Sequence, residues 1–151
     1  MMRRPFATAL AVAAMALVLI ACEDTNTNWG PKVSYYDGIL RVSGEGYFYN
    51  DANARAANQM TVHDRAADGN NVYGYTTFKT WKYSSITGST DWQLIQAKST
   101  SEVSNASINQ TLKVNLDPNG SRARGETMVC AQMGWPVPDS CSSPSFPTFD
   151  Y

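Results

Sequence analysis

Ala106-Ser107-Ile108-Asn109-Gln110-Thr111-Leu112-Lys113-Val114-Asn115-Leu116 alternates in character from one residue to the next. Ala106, Ile108, Leu112, Val114 and Leu116 fall on one side; Ser107, Asn109, Thr111, Lys113 and Asn115 fall on the other. Side chains in an extended chain point alternately to opposite faces, so this period of two predicts a half-buried β-strand. Asp117-Pro118-Asn119-Gly120 follows as a turn, because proline pre-sets φ and glycine accepts a positive one. A last strand is expected over Ser121 to Met133.

Upstream, the same period recurs from Gly38 onward. In Ile39 to Tyr49, Leu40, Val42 and Phe48 share one face and Arg41, Ser43 and Glu45 the other, with Gly44 and Gly46 marking a bend or bulge. Asp51 to Asn58 is rich in alanine and asparagine and is the one segment suited to a helical turn. Gln59 to Arg65 is a short strand candidate, and Ala67-Asp68-Gly69-Asn70-Asn71 is a strong turn signal. Val72 to Tyr83 is an aromatic and β-branched run. Ile86 to Ser89 turns it into a further strand over Trp92 to Ala97. Six or more short strands without a convincing helix predict an all-β fold, an antiparallel β-sandwich. An Ig-like arrangement or an open barrel is the nearest alternative.

The N-terminus reads differently. Arg3 and Arg4 precede an uncharged apolar run of sixteen residues from Phe6 to Ala21, short of the roughly 20 needed to span a bilayer as a helix. A charged region, an apolar region and a small residue before a cysteine make the layout of an export signal. Leu19-Ile20-Ala21-Cys22 resembles the lipobox of bacterial lipoproteins. The resemblance implies cleavage before Cys22, a diacylglyceryl group (palmitate or similar chains) on its sulfur, and an extracytoplasmic protein anchored to the cell membrane or the outer membrane. The expected organisation is a signal peptide over 1–21, a lipidated tether over 22–37 and one β-sandwich domain over 38–151.

With Cys22 assigned to lipid, Cys130 and Cys141 remain as a pair in an oxidising compartment. A disulfide between them is expected to staple a C-terminal loop that contains Pro136 and Pro138. Two cysteines this close in the chain do not match an immunoglobulin inter-sheet bridge. From Trp135 to Tyr151 four prolines and the lack of a period predict an ordered loop or a frayed end.

Charge excludes one class of partner. Loss of Arg3 and Arg4 with the leader takes 12 basic residues to 10, against 13 acidic, a net charge of −3. No basic run survives, so no nucleic-acid footprint is present. The anchor must therefore come from acyl chains rather than from attraction to anionic lipid.

Residues suited to catalysis are sparse. His63 is the single histidine, no serine sits in a nucleophile elbow, and no carboxylates pair at glycosidase or metal spacing. Asp64, Asp68, Asn70 and Asn71 lack the alternating order of a calcium loop and read as a turn. No catalytic residue, cofactor or metal site is therefore expected. Tyr73, Tyr75, Trp81 and Tyr83 lie at even spacings beside Lys79, so one face of their strand is aromatic and is expected to meet solvent. The predicted activity is binding, to envelope glycan or to an envelope protein, through that row. The alternative is an exclusion lipoprotein of the kind phages carry, or, less in keeping with the residues, an enzyme.

Overall fold

A computed structural model describes residues 27–151. The predicted leader, the lipobox and residues 23–26 of the tether lie outside the described residues. Nine strands follow in order: β1 Thr27–Tyr36, β2 Ile39–Asp51, β3 Arg55–Asp64, β4 Val72–Ser84, β5 Ser89–Ser99, β6 Ser107–Asn115, β7 Arg122–Ala131, β8 Ser140–Cys141 and β9 Thr148–Asp150. They form two antiparallel sheets that pack face to face. Sheet A has the order β1-β2-β3-β6; sheet B has β5-β4-β7-β8, with β9 also paired to β7. The chain changes sheet at β3–β4, β5–β6 and β6–β7, which makes a sandwich of interleaved sheets.

The predicted tether is corrected at its C-terminal half. Thr27–Tyr36 is an edge strand paired with β2, not a linker. The hairpin turn is Asp37-Gly38, with φ of 51° and 72°, the left-handed pair that a two-residue turn of type I′ requires. The helical turn expected within Asp51 to Asn58 is also absent. Ala52 and Asn53 take φ of 56° and 54°, Ala54 N donates to Asp51 O at 3.2 Å, and the chain re-enters as β3 at Arg55. Asn50 holds this second turn, since its Oδ1 accepts from Asn53 N at 2.8 Å.

Alternation decides what is buried. Phe48, Met60, Val62, Phe78, Leu112, Val114 and Val129 point between the sheets and form the core. β6 turns Ile108, Leu112 and Val114 inward, as its alternation predicts, but Ala106 lies before the strand and is exposed. Gly44 and Gly46 do mark a bulge, which lies on β1. Trp29 pairs with Gly46 and Lys32 with Gly44, so two residues of β1 face one of β2, while β2 and β3 pair without interruption from Val42 to Asp51. The two glycines also permit close approach: a Cβ on Gly46 would stand 2.0 Å from Gln59 O.

The proline-rich end is more ordered than its composition suggests. Cys130 pairs directly with Cys141 and the two are disulfide-bonded. Ser145 exchanges two backbone hydrogen bonds with Thr127, at 2.8 and 2.9 Å. Phe149 then enters the core, its ring 5.1 Å from that of Phe48. The tail therefore runs the length of β7 as an interrupted edge strand. It also reaches sheet A, where Thr27 Oγ1 donates to Thr148 O at 3.2 Å and Ser34 Oγ lies 2.7 Å from Ser140 Oγ. Across the opposite seam Lys98 Nζ donates to Lys113 O at 2.6 Å.

At the centre of the sandwich lies a polar cluster. Asn58 is fully buried, and its Nδ2 donates to Thr76 Oγ1 at 2.8 Å and to Thr127 Oγ1 at 2.9 Å. Its Oδ1 accepts from Trp29 Nε1 at 2.8 Å. Three strands of different sheets and one edge strand are thus joined by side chains that leave no partner to water.

Candidate functional site

The aromatic row lies where its spacing placed it, on the outer face of sheet B. Val72, Thr76, Phe78 and Thr80 are buried, while Tyr73, Tyr75, Lys79 and Trp81 are half-buried and Tyr83 is exposed. Much of the row is occupied by the protein itself. Trp81 stands edge-on to Trp92, directly opposite on β5, with ring centroids 5.3 Å apart. The Arg124 guanidinium covers Trp92 at 4.3 Å and also faces Phe146 at 5.5 Å. Lys79 is neutralised by Glu126 at 2.6 Å, which Arg124 shares at 3.2 Å. Tyr73 donates to Asp139 Oδ2 at 2.6 Å, and burial followed by that hydrogen bond pushes its phenol up to about 12. Each of these contacts takes up ring surface or a polar tip that a ligand would otherwise use.

A concave surface lies on the opposite side of the sandwich. A trough of about 350 Å³ crosses the outer face of sheet A, lined by Asn28, Glu45, Tyr47, Gln59, Thr61 and Asn109, with Gly30 and Gly46 at its base. A second hollow of about 70 Å³ continues it through Glu45 toward Ser43, His63 and Arg65. The lining residues come from four strands. They converge because outward positions of β2 pair with outward positions of β3, Tyr47 with Gln59 and Glu45 with Thr61. Thr61 in turn pairs with Asn109 on β6.

The trough floor is a relay of side-chain hydrogen bonds. The Tyr47 hydroxyl donates to Gln59 Oε1, Gln59 Nε2 donates to Asn109 Oδ1 at 3.1 Å, and Asn109 Nδ2 donates to Thr61 Oγ1 at 2.8 Å. Each group keeps spare capacity: a second amide hydrogen, a second lone pair, or the Thr61 hydroxyl hydrogen. The Tyr47 and Tyr49 rings lie side by side at 5.5 Å, and Tyr47 is exposed. At the far end His63 Nδ1 lies 2.6 Å from Ser107 Oγ, a rung between directly paired positions. Arg65 Nε donates to Ser43 Oγ at 2.7 Å. Fixed amides, hydroxyls, one carboxylate and a phenol ring make a surface that both donates and accepts, with little net charge.

Elsewhere the carboxylates weighed for chemistry are committed to structure. Asp64 accepts from the Ala66 and Asn105 amides at 3.0 and 2.6 Å. Asp68 accepts from the Asn70 amide at 2.9 Å and pairs with Arg41. No family model matches the chain, and no curated protein or solved structure matches it either.

Proposed function

We propose that the protein is a lipid-anchored binding module of the bacterial envelope, held through Cys22, and that it recognises glycan in the trough on sheet A. The observation that carries this reading is the Tyr47–Gln59–Asn109–Thr61 relay. Sugar hydroxyls donate and accept together, so they are matched by fixed groups that do both, and a phenol ring beside them offers a flat apolar face. A small number of placed polar groups in a concave surface is the general form of a ligand site. Binding rather than catalysis is supported by the carboxylates. Asp51, Asp68, Asp117, Glu126 and Asp150 are each spent in ion pairs with lysine or arginine.

Retention on isolated cell envelopes tests the reading. The lipid-free domain is sedimented with envelopes before and after periodate cleavage of vicinal diols, alongside Tyr47→Ala and Gln59→Ala. Periodate treatment should abolish retention. Each substitution should weaken it about tenfold, the equivalent of roughly 1.4 kcal/mol. Retention that survives both periodate and glycan-hydrolysing enzymes but is lost on proteinase treatment of the envelopes would assign the partner to protein and reject the glycan.

A further inference from the structure

The end of the sandwich from which Thr27 emerges carries a second surface. Thr27 pairs with Phe48, so this end also holds the Asp51–Arg55 turn, the Asp117–Gly120 turn and the β4–β5 hairpin. Pairing of β4 with β7 stops at Trp81–Arg122, but β4 and β5 stay paired as far as Ser84–Ser89. The hairpin thus runs three residues past the start of β7, roughly 10 Å at about 3.3 Å per residue. At its tip Ile86 is 95 % exposed, and Tyr83 beside it is 65 % exposed. From Tyr83 to Thr90 the chain is Tyr-Ser-Ser-Ile-Thr-Gly-Ser-Thr, without a charge. Among the neighbouring charges Lys82 pairs with Asp117, Arg55 and Lys113 with Asp51, and Arg122 with Asp150, while Asp91, opposite Lys82 and below the tip, stays exposed.

We infer that this hairpin tip docks on the lipid bilayer, with Ile86 entering the boundary between headgroups and acyl chains and Tyr83 lying at headgroup level. The inference rests on the lipid anchor at Cys22 proposed above. Four residues separate Cys22 from Thr27, which makes five Cα–Cα steps, and an extended chain reaches at most about 3.6 Å per step, on the order of 18 Å in total. The domain therefore cannot stand far from the surface. The overhanging tip covers much of the remaining gap. The opposite end also exposes apolar side chains, Tyr35, Ile39 and Trp135, but it lies a strand length away from the anchor. An uncharged tip bearing one aliphatic and one phenolic side chain suits an interface, where the ring is amphipathic and no ion needs to be desolvated. The acyl chains supply the affinity, and the tip sets the orientation. The trough then faces sideways along the membrane plane.

The test uses the lipidated protein in vesicles of phosphatidylethanolamine and phosphatidylglycerol, with a polarity-sensitive fluorophore on Thr87→Cys. A second sample carries it on Ala67→Cys, at the far end. Docking predicts a blue shift and a loss of emission with brominated acyl chains for the label at 87, and neither change for the label at 67. Ile86→Ser should remove both effects without shifting the melting temperature. A label at 87 that stays unquenched while the protein floats with the vesicles overturns the docking and leaves the anchor standing. Failure to float overturns the anchor and the docking with it.

Discussion

The indole N–H of Trp29, on the outermost strand of sheet A, reaches into the core and donates to Asn58 Oδ1 at 2.8 Å. Asn58 passes the connection to sheet B by donating to Thr76 and Thr127. A strand that has a partner on one side only is thereby fixed by a contact perpendicular to its sheet. Apolar contacts between sheets tolerate sliding, whereas directed hydrogen bonds in a dry interior fix one register.

Asn58→Ala should therefore be among the most damaging single changes. It removes two donors and one acceptor and strands the Trp29 N–H in the core. One buried unsatisfied group costs about 1–3 kcal/mol, so a total near 3 kcal/mol or more is expected. Urea denaturation read by tryptophan fluorescence gives the number. A midpoint within error of the parent would show that the cluster adds no net stability.

Cys130 and Cys141 should resist alkylation until reduced. Cys141→Ser is expected to cost on the order of 3 kcal/mol, the loop-closure value for a loop of this size. The damage should begin locally, because Phe149 stays in the core and Ser145 stays bonded to Thr127. Limited proteolysis should cut between residues 132 and 144 before any site in β2 or β3 is reached. Simultaneous cleavage throughout the chain would contradict a local staple.

Three carboxylates give the acid limb of stability its shape. Hydrogen bonding to Lys113 lowers Asp51, and hydrogen bonding to Lys82 lowers Asp117. Burial pushes Asp68 up, but the Asn70 amide and Arg41 outweigh it and bring it down. Groups lowered in the folded state stabilise it above their unfolded value near 3.8, and that contribution disappears as pH falls through the folded values. Melting temperature should thus decline below about pH 4, less steeply in Asp117→Asn. On the alkaline side Tyr73 is raised from 10.0 to about 12. The folded state then holds a proton that the unfolded chain gives up, so stability falls between those values. Asp139→Asn should narrow that window, as absorbance titration of the phenols would show.

Trp81→Ala separates the two faces. The variant loses the edge-on pair with Trp92, worth about 0.5–1.5 kcal/mol beyond its buried area, and uncovers one side of the Arg124 stack. Stability should drop measurably in thermal melts, and retention on envelopes should stay at the parent level. Lost retention at unchanged stability would move the ligand to sheet B.

Much of the sandwich was legible because its strands alternate cleanly. Leu112 and Val114, or Phe78 and Thr80, could be assigned to a face from spacing alone. β1 was not, and the register explains why. One extra residue enters β1 between Trp29 and Lys32, and one enters β2 between Leu40 and Val42, opposite Ser34 and Tyr35. The shift within β1 moves its inward positions from Trp29 to Ser34 and leaves Val33 and Tyr35 outward, so no apolar period survives. Asp37-Gly38 was the remaining signal, and the polar stretch before it masked that hairpin. The trough had no local signature. Glu45, Tyr47, Gln59, Thr61 and Asn109 are ordinary outward residues of three strands. Only the strand order, with β6 beside β3, gathers them.

The tail has a consequence for how copies of this domain coexist. Without residues 140–150, β7 would show a bare row of amides and carbonyls, a template on which a neighbour's strand can polymerise. Pro144 removes one outward donor from the strand that covers it, and the Pro144 carbonyl accepts from Lys32 Nζ at 3.4 Å. A truncation at Asp139 would make the domain self-adhesive, and most readily at the high two-dimensional densities that the proposed anchor would impose.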